Sequence, residues 1–223
     1  MLISLLKKYQ SDFFPLLGTS FQKEDFCTID LNVNTPNLDL GAIQTYGGLD
    51  FYIQNELEKQ EAKVGVGGYL EERVLYQQSN NFKSEAENRN IHLGVDWWSV
   101  AGTEIYAPLD GKIHSFQYND LYLDYGATII LQHDLDGLVF YTLYGHLNLA
   151  SLEYLKKGML IRKGKAFTAM GSRNENGGWV PHLHFQIIKD MMGKEGDFPG
   201  VTSEKLLTEF SKNCPDPNVF FVY

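Results

Sequence analysis

The apolar positions change their period once along the chain. Leu2, Leu5, Leu6 and Tyr9 recur at the spacing of one helix face, which predicts a short N-terminal helix. Residues 49–63 predict a second helix, with Phe51, Ile53 and Leu57 set among Gln, Asn, Glu and Lys. Between the two, residues 32–40 are rich in Asn, Thr and Pro and read as loop. Val64-Gly65-Val66-Gly67-Gly68 reads as a turn, because it lacks the spacing and the following Lys-Ser/Thr of a phosphate loop. From Arg89 onward the pattern becomes short β-like runs between turn signals. Residues 105–109 and 112–118 flank Asp110-Gly111, a hairpin-turn dipeptide. Residues 127–133 and 138–144 flank a polar break ending in Asp136-Gly137 and predict an antiparallel hairpin. Residues 159–162 and 166–170 flank Lys163-Gly164, and residues 183–188 close the series. No helical run of any length interrupts residues 100–190, which rules against alternating strands and helices. The expected fold is mainly β, an antiparallel β-sandwich or open-barrel core over residues 81–223 with a C-terminal extension. Residues 1–80 form a mixed α/loop accessory segment in this reading.

Composition narrows the class. The 223 residues are 43% hydrophobic and 21% charged, enough apolar material for a core without disulfides or metal staples and too little charge for a disordered chain. Nineteen cationic residues against 28 anionic ones give a net charge of −9. That balance argues against nucleic acid as partner and against attraction to an anionic membrane or wall. No stretch reaches the ~18 apolar residues of a spanning helix. The N-terminal apolar run precedes Lys7-Lys8, the reverse of an export signal, so a cytoplasmic location is expected. Cys27 and Cys214 lie far apart without CxxC or CxxH neighbours and read as buried thiols.

The histidines carry the chemistry. His182 and His184 flank Leu183, so on a strand both imidazoles share one face while Leu183, Phe185 and Ile187 face the other. His92 and Asp96 share a face in an extended segment, with Gly94 between them leaving room for a metal. His146, in Tyr144-Gly145-His146-Leu147, follows a strand end and offers a second proton-transfer group. Two neutral imidazoles and one carboxylate suit a divalent transition metal. Three protein ligands leave a position open for water or substrate, the catalytic arrangement. One histidine of the HxH pair serves as ligand and the other stays off the metal. His114 and His133 have no partner motif and read as structural or surface residues.

In this order, His92-xxx-Asp96, Tyr144-Gly-His146-Leu and His182-Leu-His184-Phe resemble the lysostaphin-type (LytM-like) zinc endopeptidases. Ala107-Pro-Leu-Asp-Gly111, Tyr125-Gly126 and Gly177-Gly178 are similar too, and the resemblance spans roughly residues 88–190. It implies a compact antiparallel β fold binding one Zn2+ through His92, Asp96 and His184. His146 and His182 would be the catalytic histidines, and Tyr125 would contact the substrate at the transition state. The implied activity is metal-assisted hydrolysis of peptide bonds in peptidoglycan-type or other small-residue peptides. Zinc would polarise the scissile carbonyl and acidify a water, while His146 and His182 share the proton transfers in an order the sequence leaves open. Two other readings stand beside it. Two histidines and a carboxylate also form the facial triad of non-haem iron enzymes, and the same fold could serve as a non-catalytic binding module. The oligomeric state is left open.

Overall fold

The computed structural model describes residues 1–78, 82 and 88–222. The expected boundary between residues 80 and 81 lies outside the described residues. Strands are β1 (Phe26–Thr28), β2 (Val64–Gly67), β3 (Ile91–His92), β4 (Val95–Trp98), β5 (Glu104–Tyr106), β6 (Gly111–Asn119), β7 (Gly126–Leu135), β8 (Leu138–Leu147), β9 (Leu160–Ile161), β10 (Ala166–Ala169), β11 (His182–Ile188) and β12 (Val201–Thr202). Helices are α1 (Leu2–Tyr9), α2 (Gly48–Lys59) and α3 (Leu207–Asn213). Eight strands form one open sheet in the order β1-β2-β4-β11-β8-β7-β6-β9. The mainly β class expected from the sequence is what folds. The sheet is mixed because β1 and β2 run parallel, while its other pairs are antiparallel. Among the described residues no helix is long and apolar enough to cross a membrane.

The β7–β8 hairpin forms as predicted. Asp136 and Gly137 take positive φ (51° and 79°), the left-handed pair that matches strand twist. Two expected turns fail to form as hairpin or loop. Residues 64–67 are not a turn but strand β2, buried throughout and paired antiparallel with β4. The glycines are required by packing: a Cβ at Gly65 would meet Cγ1 of Ile29 at 2.5 Å. Nor does Asp110-Gly111 join a hairpin. β5 pairs with β10 in a separate ribbon, and β6 pairs with β7 and β9. Asp110 instead accepts the amide of Lys163 and the guanidinium of Arg162, tying two turns together.

The sheet separates two environments. One face carries Val64, Val66, Val95, Trp97, Leu183, Phe185 and Ile187, packed under Leu2 and Leu6 of α1 and under Phe220. Burying each such side chain contributes about 1.5–3 kcal/mol. On the other side, Ile29, Leu31, Leu49, Ile53 and Leu75 pack with Trp98 and Trp179. Residues of the first third of the chain therefore wall the face that bears the histidines. Cys27 and Cys214 are buried free thiols, as expected.

Candidate metal centre

Strand β11 alternates strictly. Leu183, Phe185 and Ile187 enter the core on one face, while His182 and His184 line a groove on the other. Register then places the neighbours. Asp96 of β4 sits opposite His184, and Trp98 sits opposite His182. On the far side, Gly145 of β8 faces His184. His92 arrives from β3, a separate short strand paired with β12, so residues 92–96 are not one continuous extended run. Gly94 lies in the break. Its absent side chain is needed, because a Cβ there would approach Cε1 of His184 to 2.5 Å.

His92, Asp96 and His184 are brought together, all buried, with ligand atoms within 4.8 Å of one another. Nε2 of His92 lies 2.8 Å from Nδ1 of His184, and Oδ1 of Asp96 lies 3.3 Å from each. The tautomers follow from the outer partners. Nδ1–H of His92 donates to the carbonyl of Gly68 (2.9 Å), which leaves Nε2 a lone pair. Nε2–H of His184 donates to Oε1 of Gln186 (2.9 Å), which leaves Nδ1 a lone pair. Gln186 is fixed in that orientation because its amide nitrogen donates to the Pro199 carbonyl. Two lone pairs therefore face each other with no proton between them, and the buried Oδ1 of Asp96 finds no hydrogen-bond donor. A cation answers all three. Ligand atoms about 2.0 Å from a tetrahedral zinc stand about 3.3 Å apart, the separation of both nitrogens from Oδ1. The donor set fits one Zn2+.

The electrostatics agree. Burial pushes His92 down to about 4, against the opposing pull of Asp96, so it is the neutral ligand form near pH 7. Burial alone would raise Asp96, but His92, Arg73 and His182 hold its carboxyl well below the usual range.

His146 and His182 stand beside this group, their rings 4.2 Å apart. Nδ1–H of His182 donates to the Val180 carbonyl (2.7 Å), and Nδ1–H of His146 donates to the Asn176 carbonyl (2.9 Å). Each Nε2 is left as the proton-accepting atom, and that of His182 lies 3.8 Å from Oδ1 of Asp96. Burial lowers both pKa values, His146 further through its neighbour His182. His146 does not follow a strand end. It lies within β8 at a bulge, where two steps on β7 (Ala127 to Ile129) match three on β8 (Tyr144 to Leu147). There it adopts φ 61°, a conformation sparsely used by non-glycine residues and found at functional sites. Tyr125 accepts the His146 amide at its carbonyl, and its hydroxyl lies 3.4 Å from Nε2 of His184. Burial raises the pKa of that phenol well above its ordinary value, keeping it protonated.

The groove has a volume of ≈ 220 Å³. Besides the histidines it is lined by Leu31, Leu49, Leu75, Trp98 and Trp179. Sequence reasoning missed those walls, and it missed Gly68, Gln186, Glu71 and Arg73. Gln186 was within reach, since it continues the every-second-residue face of His182 and His184. The others lie upstream of His92 with no periodic signal to connect them.

Residues 90–197 match Peptidase family M23. An uncharacterised metalloprotease of Haemophilus influenzae is 32% identical over 96 residues, covering 43% of this chain and 18% of that protein. Among solved structures, a zinc-containing peptidase from Vibrio cholerae is 27% identical, covering 47% of this chain and 29% of that one, with a TM-score of 0.36. The catalytic domain of lysostaphin from Staphylococcus simulans is 24% identical, covering 62% of this chain and 98% of that one, with a TM-score of 0.38. The chain thus matches about a fifth of the length of its curated relative.

Proposed function

We propose that this chain, which matches Peptidase family M23 over residues 90–197, is a zinc-dependent hydrolase of peptide bonds. In this reading His92, Asp96 and His184 hold the ion. The supporting observation is the aim of their donor atoms: two imidazole lone pairs and one unpartnered carboxylate oxygen face a common point. The family match favours hydrolysis over an iron facial triad, and the neighbouring His146 and His182 have work in a hydrolysis.

When bound, zinc supplies Lewis acidity and a water acidified towards a pKa of about 7. The chain's own groups do the rest. His146 and His182 are held neutral by burial, each oriented through Nδ1 by a backbone carbonyl. Their Nε2 atoms are the ones that take a proton from the attacking water and return one to the leaving amine. The protonated Tyr125 hydroxyl donates towards negative charge as it develops on the scissile carbonyl oxygen. The walls of Leu31, Leu49 and Leu75 exclude bulk water, which strengthens these interactions. The substrate is a peptide, and wall-derived peptides with small residues at the cleaved bond are the first to test.

Zinc quantification on His184→Ala and His182→Ala, paired with turnover on a peptide panel, separates the roles. His184→Ala loses zinc. His182→Ala retains it and loses hydrolysis. Full zinc content in both variants overturns the ligand assignment.

A further inference from the structure

Asp96 has two oxygens with different surroundings. Oδ1 faces His92 and His184. Oδ2 is taken by Nη1 of Arg73 at 2.5 Å. Nε of the same guanidinium donates to Oε2 of Glu71 (2.5 Å), and Oε1 of Glu71 accepts the Leu31 amide (2.9 Å). Arg73 is 3% exposed and Glu71 8%. The same stretch of chain holds His92. The Gly68 carbonyl takes its Nδ1–H, the Glu71 carbonyl takes its amide (2.9 Å), and the Leu70 amide donates to its carbonyl (2.8 Å). Gly68, at φ 89°, lies against the Glu71–Arg73 pair so closely that any side chain would collide with it.

Resting on the zinc reading above, we propose that Arg73, braced by Glu71, is a positioning residue of the metal centre, and that residues 68–73 form the bracket setting two of its three donors. By occupying Oδ2, Arg73 makes Asp96 a one-oxygen donor with a fixed direction. Its planar, rigid guanidinium suits the task, since one nitrogen meets each carboxylate, Nη1 on Asp96 and Nε on Glu71. Glu71 cancels the arginine's charge, so the bracket orients Asp96 without repelling a cation. The bracket lies upstream of residues 90–197, outside the stretch that matches the peptidase family. Outer partners of this kind orient ligands, and their loss weakens metal binding by about 10–100-fold.

The double variant Glu71→Gln/Arg73→Met keeps the net charge of the site and removes the bridge, together with the Arg73 contacts to Tyr76 and the Trp98 ring. Zinc Kd is read on the full chain by competition with a chelator, beside thermal unfolding of the metal-free protein and the visible spectrum of the Co2+ form. The expected result is a Kd raised about 10–100-fold with an altered Co2+ spectrum. Arg73→Lys, which keeps the charge but not the fork, falls between wild type and the double variant and serves if the latter does not fold. A Kd within twofold of wild type in the double variant, or in Arg73→Lys if only that folds, overturns the proposal, whatever happens to metal-free stability. Wild-type protein that takes up no zinc overturns the metallohydrolase reading as well.

Discussion

Gly94→Ala would place a methyl carbon 2.5 Å from Cε1 and 2.7 Å from Nε2 of His184, with the Phe185 carbonyl oxygen 2.9 Å away. Carbon atoms in contact settle at about 3.5–4.0 Å, so something must retreat by about 1 Å. Phe185 lies on β11, hydrogen-bonded between β4 and β8, and cannot give. The imidazole must move. It is buried and tied to Gln186, so its motion breaks that bond and carries Nδ1 away from the other donors. Metal–ligand distances tolerate about 0.2 Å, and a shift of about 1 Å removes the ligand. Since disturbing an outer partner already costs about 10–100-fold in affinity, zinc Kd should rise by more than about 100-fold. The accompanying strain costs about 1–3 kcal/mol of stability. Chelator competition and urea unfolding measure the two effects. Gly41→Ala is the control, at an exposed glycine where the new Cβ meets its nearest neighbour at 3.4 Å. Gly94→Ala protein with a zinc Kd within threefold of wild type would refute the reasoning.

Two further outcomes follow from single side chains. His133 is buried, donates Nδ1–H to the Asp110 carbonyl and accepts Thr142 at Nε2, and burial pushes its pKa from 6.5 down to about 4. The unfolded chain binds that proton more readily, so the contribution is complete above about pH 6.5 and is lost as pH falls from there towards 4. At about 1.4 kcal/mol per pKa unit, roughly 2 kcal/mol disappears between pH 7.5 and 5. In urea titrations of metal-free protein, His133→Gln should lose about that much less than wild type, and equal losses would count against a neutral buried ring. Tyr125→Phe should keep its zinc while peptide turnover falls by about 100-fold, as for loss of one oxyanion donor. Loss of zinc instead would make Tyr125 a structural support of His184.

Much of the site was legible because its signals are local. The alternation of His182 and His184 against Leu183, Phe185 and Ile187 needs only a strand to become a two-faced support. Asp136-Gly137 announced its hairpin because both residues tolerate positive φ. What failed depends on partners distant in sequence. Asp110-Gly111 has turn chemistry, yet nothing in a dipeptide says that β5 will pair with β10, some 60 residues away. Val64 to Gly67 looked like a turn because its glycines satisfy contacts with Ile29 and Trp98 that exist only after folding. Arg73 was invisible for the same reason, since its meaning lies in Asp96 and Glu71 closing around it.

The strict two-residue alternation of β11 has a consequence for how this protein can fail. A slip of one residue in its pairing would drive both imidazoles into the apolar layer beneath and turn a leucine, a phenylalanine and an isoleucine into the groove. Misassembly of this strand would take both histidines out of the groove together.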